Sequence, residues 1–107
     1  MYRLGDIILL NFPYTGFVGA KKRPALVILD AKDGDVLVSR ITSKSHHSDY
    51  DLTITDWKGA GLISLSYVRL HKLATLENTL IERKLGALSP NDLADLKLKI
   101  TEIAQNL

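Results

Sequence analysis

The chain has 107 residues and a mass of 11.9 kDa, which predicts a single domain over residues 1–107. It contains no cysteine, which excludes a disulfide scaffold, a thiol nucleophile and a thiolate zinc site. Its 14 Lys and Arg against 12 Asp and Glu give a net charge of only +2, so nucleic-acid binding requires a local basic patch. The sequence has neither a membrane-length apolar run nor a recognisable signal peptide, so we expect a cytoplasmic protein without membrane contact.

Short apolar runs separated by Gly, Pro and polar residues predict strands in the first part of the chain. The first run, residues 7–12, leads into a loop over residues 13–24, which is long enough to suggest a function. The second run covers residues 25–29. Asp33-Gly34 then predicts a two-residue hairpin turn into a third strand over residues 36–42.

Further short strands are predicted around residues 52–54, 66–70 and 80–85. The pattern then changes to a helical one. Ser89 and Pro90 are typical of an N-cap and a first helical position. The apolar residues that follow share one helical face: Leu93, Leu96, Ile100, Ile103, Ala104 and Leu107. We therefore expect a mainly β fold, a small barrel or half-barrel capped by a C-terminal helix.

Two groups of polar residues are candidates for phosphate binding. Lys21, Lys22 and Arg23 form the one dense cationic cluster, although such clusters are more often solvated surface. On the third strand, alternation places Arg40 and Thr42 on the same face, where a hydroxyl beside cations could bind a phosphate. Threonine also suits strands without any functional role.

The histidines, and the absence of cofactor-binding motifs, point to neither a metal site nor a cofactor. His46 and His47 are adjacent in a polar segment without clustered carboxylates, so we expect no metal site and interpret them as surface residues. His46 or His47 remains a weak candidate for a general base. The sequence has no P-loop and no dinucleotide-binding glycine motif, so we expect no cofactor.

An ordered set of short motifs resembles the PemK/MazF-type toxins. In the first half these are Gly5-Asp6-Ile7-Ile8, Phe12-Pro13-Tyr14-Thr15, Lys22-Arg23-Pro24-Ala25-Leu26-Val27 and Ile41-Thr42-Ser43. In the second half they are Ser66-Tyr67-Val68-Arg69, Lys72-Leu73-Ala74-Thr75-Leu76 and Leu85-Gly86-Ala87-Leu88-Ser89. Each motif alone is short, but together they run in register from residue 5 to about residue 89. The resemblance implies an SH3-like small barrel of the MazF/CcdB toxin type.

The resemblance also implies an activity and a site. It implies a metal-independent, sequence-selective endoribonuclease of a type II toxin–antitoxin pair, acting on single-stranded RNA as a homodimer and held inactive by a cognate antitoxin. Arg23 and Thr42 match the catalytic pair. The residues that match RNA-binding positions are Tyr14, Thr15, Lys21, Lys22, Ser43 and Lys72.

Two alternative functions remain open at the level of the sequence. Related barrels poison DNA gyrase by binding alone, and such a toxin does not need the pair Arg23 and Thr42. A plain SH3-like interaction module would have neither toxicity nor catalysis, since a fold does not determine a function.

Overall fold

A computed structural model describes residues 1–13 and 20–107, with side chains described for residues 1–11 and 22–107. In this part of the chain the strands are β1 (Asp6–Pro13), β2 (Ala20–Asp30), β3 (Asp35–Thr42), β4 (Asp51–Ile54), β5 (Ser66–Glu77) and β6 (Ile81–Ala87). A 3-10 turn, Asn78–Leu80, links β5 to β6, and helix α1 covers Pro90–Gln105. The strands form one antiparallel sheet in the order β4-β5-β3-β2-β1-β6. The predicted mainly β fold with a C-terminal helix is confirmed.

The sheet has an apolar core on each side because β1, β2 and β3 are apolar at successive positions. On the side covered by α1, which we call the helix face, the core includes Ile7, Leu26, Ile41, Val68 and Leu96. The opposite side, which we call the far face, carries a second cluster: Ile8, Leu10, Ala25, Val27, Val36 and Val38. Neighbouring residues of a strand point to opposite sides of a sheet, so a continuous apolar run supplies both cores.

The predicted start of the helix is confirmed, and it is also what attaches the helix to the sheet. Ser89 Oγ accepts a hydrogen bond from the Asp92 backbone N–H at 3.1 Å, as an N-cap does. The Asp92 carboxylate is buried and accepts bonds from Thr55 Oγ1 at 2.6 Å and from the Asp56 N–H at 3.0 Å. Burial alone would raise the pKa of Asp92, but these hydrogen bonds hold that pKa below its ordinary value. The charged carboxylate therefore ties α1 to the turn after β4.

No helix within residues 1–13 and 20–107 has both the length and the apolar character needed to cross a membrane.

The sheet is open, since no ladder between the described strands pairs β4 with β6. The turn after β4 lies against β6 instead. At this contact Ala60 and Gly61 approach Leu85 and Gly86 so closely that a Cβ on either glycine would overlap the opposite backbone. Gly61 also has a φ of +86°, which favours glycine. The structure therefore shows a packing role for Gly61.

Two boundaries differ from the predictions. Strand β2 begins at Ala20, so residues 20–24 belong to a strand and not to the predicted loop, because the ladder with β1 continues as far as Pro13–Ala20. The β2–β3 hairpin has four connecting residues, 31–34, and not two. Side-chain caps stabilise this longer turn: the Lys32 and Asp35 N–H groups donate to Asp30 and Asp33.

Replacing Gly86 with alanine should destabilise the protein, because the new Cβ would overlap the Ala60 carbonyl. Overpacking of this kind costs about 1–3 kcal/mol, which should lower the melting temperature by several degrees in differential scanning calorimetry. Gly34→Ala is the matched control, since no atom lies within 4 Å of its Cβ position and only the strain at φ +98° remains. A Gly86→Ala variant that is as stable as the wild type would contradict a close contact at Gly86.

Candidate active site

The far face changes from apolar to polar along β3. Val36 and Val38 are buried in the far-face cluster, whereas Arg40 is exposed and Thr42 is half-buried. The pairing of Val38 with Val27 and of Arg40 with Ala25 keeps these residues on one face, as the alternation predicted. The C-terminal end of β3 therefore presents polar groups beside a packed core.

Arg23 and Thr42 lie at the same end of neighbouring strands. The β2–β3 ladder ends at the pair Ala25–Arg40, and two further residues along each strand lead to Arg23 and Thr42. Pro24 has no N–H for a ladder, and the pairing with β3 starts at the residue after it. Beyond that point β2 remains paired with β1, and β3 remains paired with β5. Each side chain is thus supported by a strand that is paired on its other side.

The Thr42 hydroxyl has a defined hydrogen-bond role. Its Oγ1 accepts the Lys44 backbone N–H at 3.1 Å, which turns the chain directly after β3. A hydroxyl carries one donor and two acceptor lone pairs. With one lone pair occupied, Thr42 can still donate its proton to an anionic oxygen that lies within hydrogen-bond distance.

Two arginines on neighbouring strands lie next to this end of β3. Arg69 on β5 stands directly opposite Arg40, and Asp51 on β4 stands directly opposite Arg69. Arg69 Nε donates to Asp51 Oδ1 at 3.1 Å, and both side chains are largely buried. The other oxygen, Asp51 Oδ2, is buried without a hydrogen-bond partner among the described residues. Arg40 belongs to none of the ion pairs found in residues 1–13 and 20–107.

His46 lies close to this cationic group. Partial desolvation lowers the pKa of His46 from its ordinary value, and the positive charges of Arg69, Lys44 and Arg40 lower it further, while Asp51 opposes them. The imidazole is therefore neutral at pH 7. His46, a weak general-base candidate from the sequence, thus lies beside the polar end of β3.

The remaining predicted RNA-binding residues are spread over several places. Lys22 pairs with Glu82 at 2.7 Å, and alternation puts it on the face opposite Arg23. Ser43 is exposed directly after Thr42, and Lys72 is exposed where the β3–β5 register shifts. Tyr14, Thr15 and the Lys21 side chain lie outside the described residues.

Sequence reasoning assigned no site role to Asp51 or Arg69. Arg40 could be found because it alternates with Thr42 on a single strand. The pairing of Asp51 with Arg69 joins residues 18 positions apart, and nothing in the local pattern signals it. In the described ranges no three His, Cys, Asp or Glu side chains are grouped so that they could hold a metal ion.

The family model for PemK-like, MazF-like toxins of type II toxin–antitoxin systems matches residues 3–104. No curated protein sequence matches the chain. A MazE–MazF complex from Deinococcus radiodurans is similar in structure, with a TM-score of 0.73, 22% identity, and 95% of this chain and 94% of that chain covered. The Mycobacterium tuberculosis toxin MazF-mt6 has a TM-score of 0.71, 19% identity, and coverage of 91% and 93%. A mycobacterial endoribonuclease in complex with its cognate antitoxin has a TM-score of 0.70, 16% identity, and coverage of 95% and 93%.

His46 should titrate below 6.5, the ordinary value for histidine, because partial desolvation and nearby cations lower its pKa. Nitrogen-detected NMR of the imidazole between pH 4 and 8 would measure this pKa. Lys44→Gln removes one of the cations and should raise the pKa toward its ordinary value, whereas Lys97→Gln on the exposed side of α1 should leave it unchanged. A wild-type pKa at or above 6.5 would contradict this arrangement.

Proposed function

Because the chain belongs to the PemK-like, MazF-like family of toxins from type II toxin–antitoxin systems, we propose that it is a sequence-selective endoribonuclease that cleaves single-stranded mRNA without a metal ion. The observation that carries the proposal is the placement of Arg23 and Thr42 at the same end of two neighbouring strands. This end of the sheet also gathers Arg40, Lys44 and Arg69, which supply the local positive charge that a polyanionic substrate needs.

The reaction we propose uses a nucleophile from the substrate itself. The 2′-hydroxyl oxygen attacks the adjacent phosphorus, and the bond from phosphorus to the 5′-oxygen of the next nucleotide breaks. The 2′-hydroxyl loses its proton, and the leaving 5′-oxygen gains one. The products are a 2′,3′-cyclic phosphate and a 5′-hydroxyl, so no water and no external cofactor enter this step.

Arg23 suits the electrostatic part of this reaction. Negative charge develops on the non-bridging phosphate oxygens, and a guanidinium offers a planar fork of donors that matches them. Because arginine stays protonated at neutral pH, it acts as a fixed positive charge and not as a base. Pro24 restricts the Arg23 backbone to an extended conformation, which helps to hold the side chain in place.

Thr42 suits an orienting role. Its hydroxyl is a poor base, but the bond that it accepts from the Lys44 N–H fixes one lone pair. The hydroxyl proton can then be donated to a non-bridging oxygen or to the substrate's ribose. Thr42→Ser keeps this proton and should retain most of the activity, whereas Thr42→Val removes it and keeps a similar shape.

Incubation of the purified protein with mixed-sequence RNA in excess EDTA tests the proposal. We expect cleavage at discrete sites with cyclic phosphate and 5′-hydroxyl ends. Loss of one preorganised donor typically costs about 10²–10³ in rate, so Arg23→Ala should be slower by that factor. Arg83→Gln removes an exposed arginine from the edge strand β6, two strands away from Arg23 on β2, and should cleave like the wild type.

The alternative functions give different outcomes in the same experiment. Intact RNA after hours with folded, antitoxin-free protein would contradict the proposal. Gyrase inhibition that survives Arg23→Ala would then identify a binding toxin. Absence of both effects, together with no growth arrest in a bacterial host, would identify an interaction module.

We also propose two protein partners, a cognate antitoxin and a second copy of the chain. Structural relatives include a MazE–MazF complex and an endoribonuclease bound to its antitoxin, and an acidic antitoxin segment would complement the cations beside Thr42. A homodimer is supported by exposed apolar side chains, since Leu29 and Leu73 are each more than half exposed. A sedimentation mass of 11.9 kDa at micromolar concentration would contradict the dimer.

A further inference from the structure

The sheet holds two arginines directly opposite each other next to the proposed active site. Arg40 on β3 pairs in register with Arg69 on β5, and alternation places both on the far face together with Thr42. Like charges directly opposite each other on neighbouring strands are destabilising. This arrangement therefore works against folding unless a negatively charged group comes between the two guanidinium groups.

Among the described residues, the one carboxylate in contact with this pair is Asp51, which offsets only one of the two positive charges. Asp51 Oδ1 accepts only from Arg69 Nε, and Asp51 Oδ2 is buried without a partner among the described residues. A buried ion pair with an unsatisfied oxygen is a poor stabilising bridge. The contact does fix one edge of the Arg69 guanidinium. Lys44 adds a third positive charge, and all three cations depress the pKa of the nearby His46.

We propose that Arg40 and Arg69 form a second phosphate-binding subsite, which holds a non-scissile phosphate of the RNA beside the phosphate cleaved at Arg23 and Thr42. This inference rests on the proposed function. Arg40 lies two residues from Thr42 along β3, a separation of about 7 Å, which is on the scale of the spacing between neighbouring phosphates of an extended strand. The Asp51 contact is a positioning interaction that orients the Arg69 guanidinium, whose Nη2 also lies 3.5 Å from His71 Nε2.

The subsite has a further consequence for stability. If Arg40 served the fold, its loss would lower the melting temperature. In a phosphate subsite its loss relieves like-charge repulsion, so Arg40→Gln should keep or slightly raise the melting temperature at low salt while it weakens RNA binding. An unchanged or higher melting temperature together with weaker RNA binding is therefore the result expected if the pair serves the ligand.

A phosphate-by-phosphate binding experiment tests the subsite. The probe is an RNA oligomer with a 2′-deoxy nucleotide at the mapped cleavage position, which prevents attack, and single neutral methylphosphonates placed along it. We expect Arg40→Gln to weaken binding about tenfold and to reduce the slope of log K against log salt by about 0.7. Arg40→Lys should recover part of the affinity, because it keeps the charge but not the fork.

The decisive result is whether the effect of Arg40→Gln on binding depends on the position of the methylphosphonate in the RNA. One methylphosphonate flanking the scissile position should weaken wild-type binding and have no further effect on Arg40→Gln. Independent effects at every phosphate, or a loss no larger than that of the matched control Arg83→Gln, would overturn the subsite. If wild type does not cleave RNA, the proposed function fails. In that case the binding titration would be repeated on the uncut mixed-sequence RNA with wild type, Arg40→Gln and Arg83→Gln. Weaker binding by Arg40→Gln than by Arg83→Gln would support the anion site, and equal binding would overturn it.

Discussion

The two-residue alternation of β3 between β2 and β5 is the constraint on which the rest of the structure depends. The same strand face that buries Val36 and Val38 in the far-face core continues to Arg40 and Thr42. A slip of one residue would exchange this face with the buried Ser39 and Ile41. Packing of the apolar half of β3 thus fixes the position of its polar half. The same packing places the Thr42 side chain on the far face.

The far face of this small sheet separates apolar packing from the polar end of β3. The stabilising contacts are two apolar cores, the buried Asp92 carboxylate under α1, and the close approach of Gly61 to Gly86. The helix-face core reaches the polar end of β3 through Ile41, which lies between Arg40 and Thr42. On the far face, by contrast, the polar end of β3 gathers like charges. The β2–β3 ladder begins only after Pro24, and two arginines face each other across β3 and β5. A polyanionic substrate would relieve this concentration of positive charge.

The features that depend on local pattern could be predicted from the sequence. Strand alternation, the Ser89 cap and the apolar stripe of α1 are short-range properties, and the structure has all three. The pairing of Arg23 with Thr42 was predicted from the family resemblance alone. Local pattern could not predict it, because the relative position of the two residues depends on the register between β2 and β3. The Asp51–Arg69 pair was not foreseen, because it requires the order β4-β5-β3. The early start of β2 was missed since glycines and a proline obscured the strand pattern.

The central claim is that Arg23 and Thr42 act together on one phosphate, and a double-mutant cycle on RNA cleavage rates tests it most directly. Single-turnover rates would be measured for wild type, Arg23→Ala, Thr42→Val and the double variant. Groups that stabilise the same transition state are non-additive, so the account predicts that the double variant is little slower than the slower single variant. Rate losses that multiply fully would show two independent roles and would contradict a shared phosphate site at the end of β2 and β3.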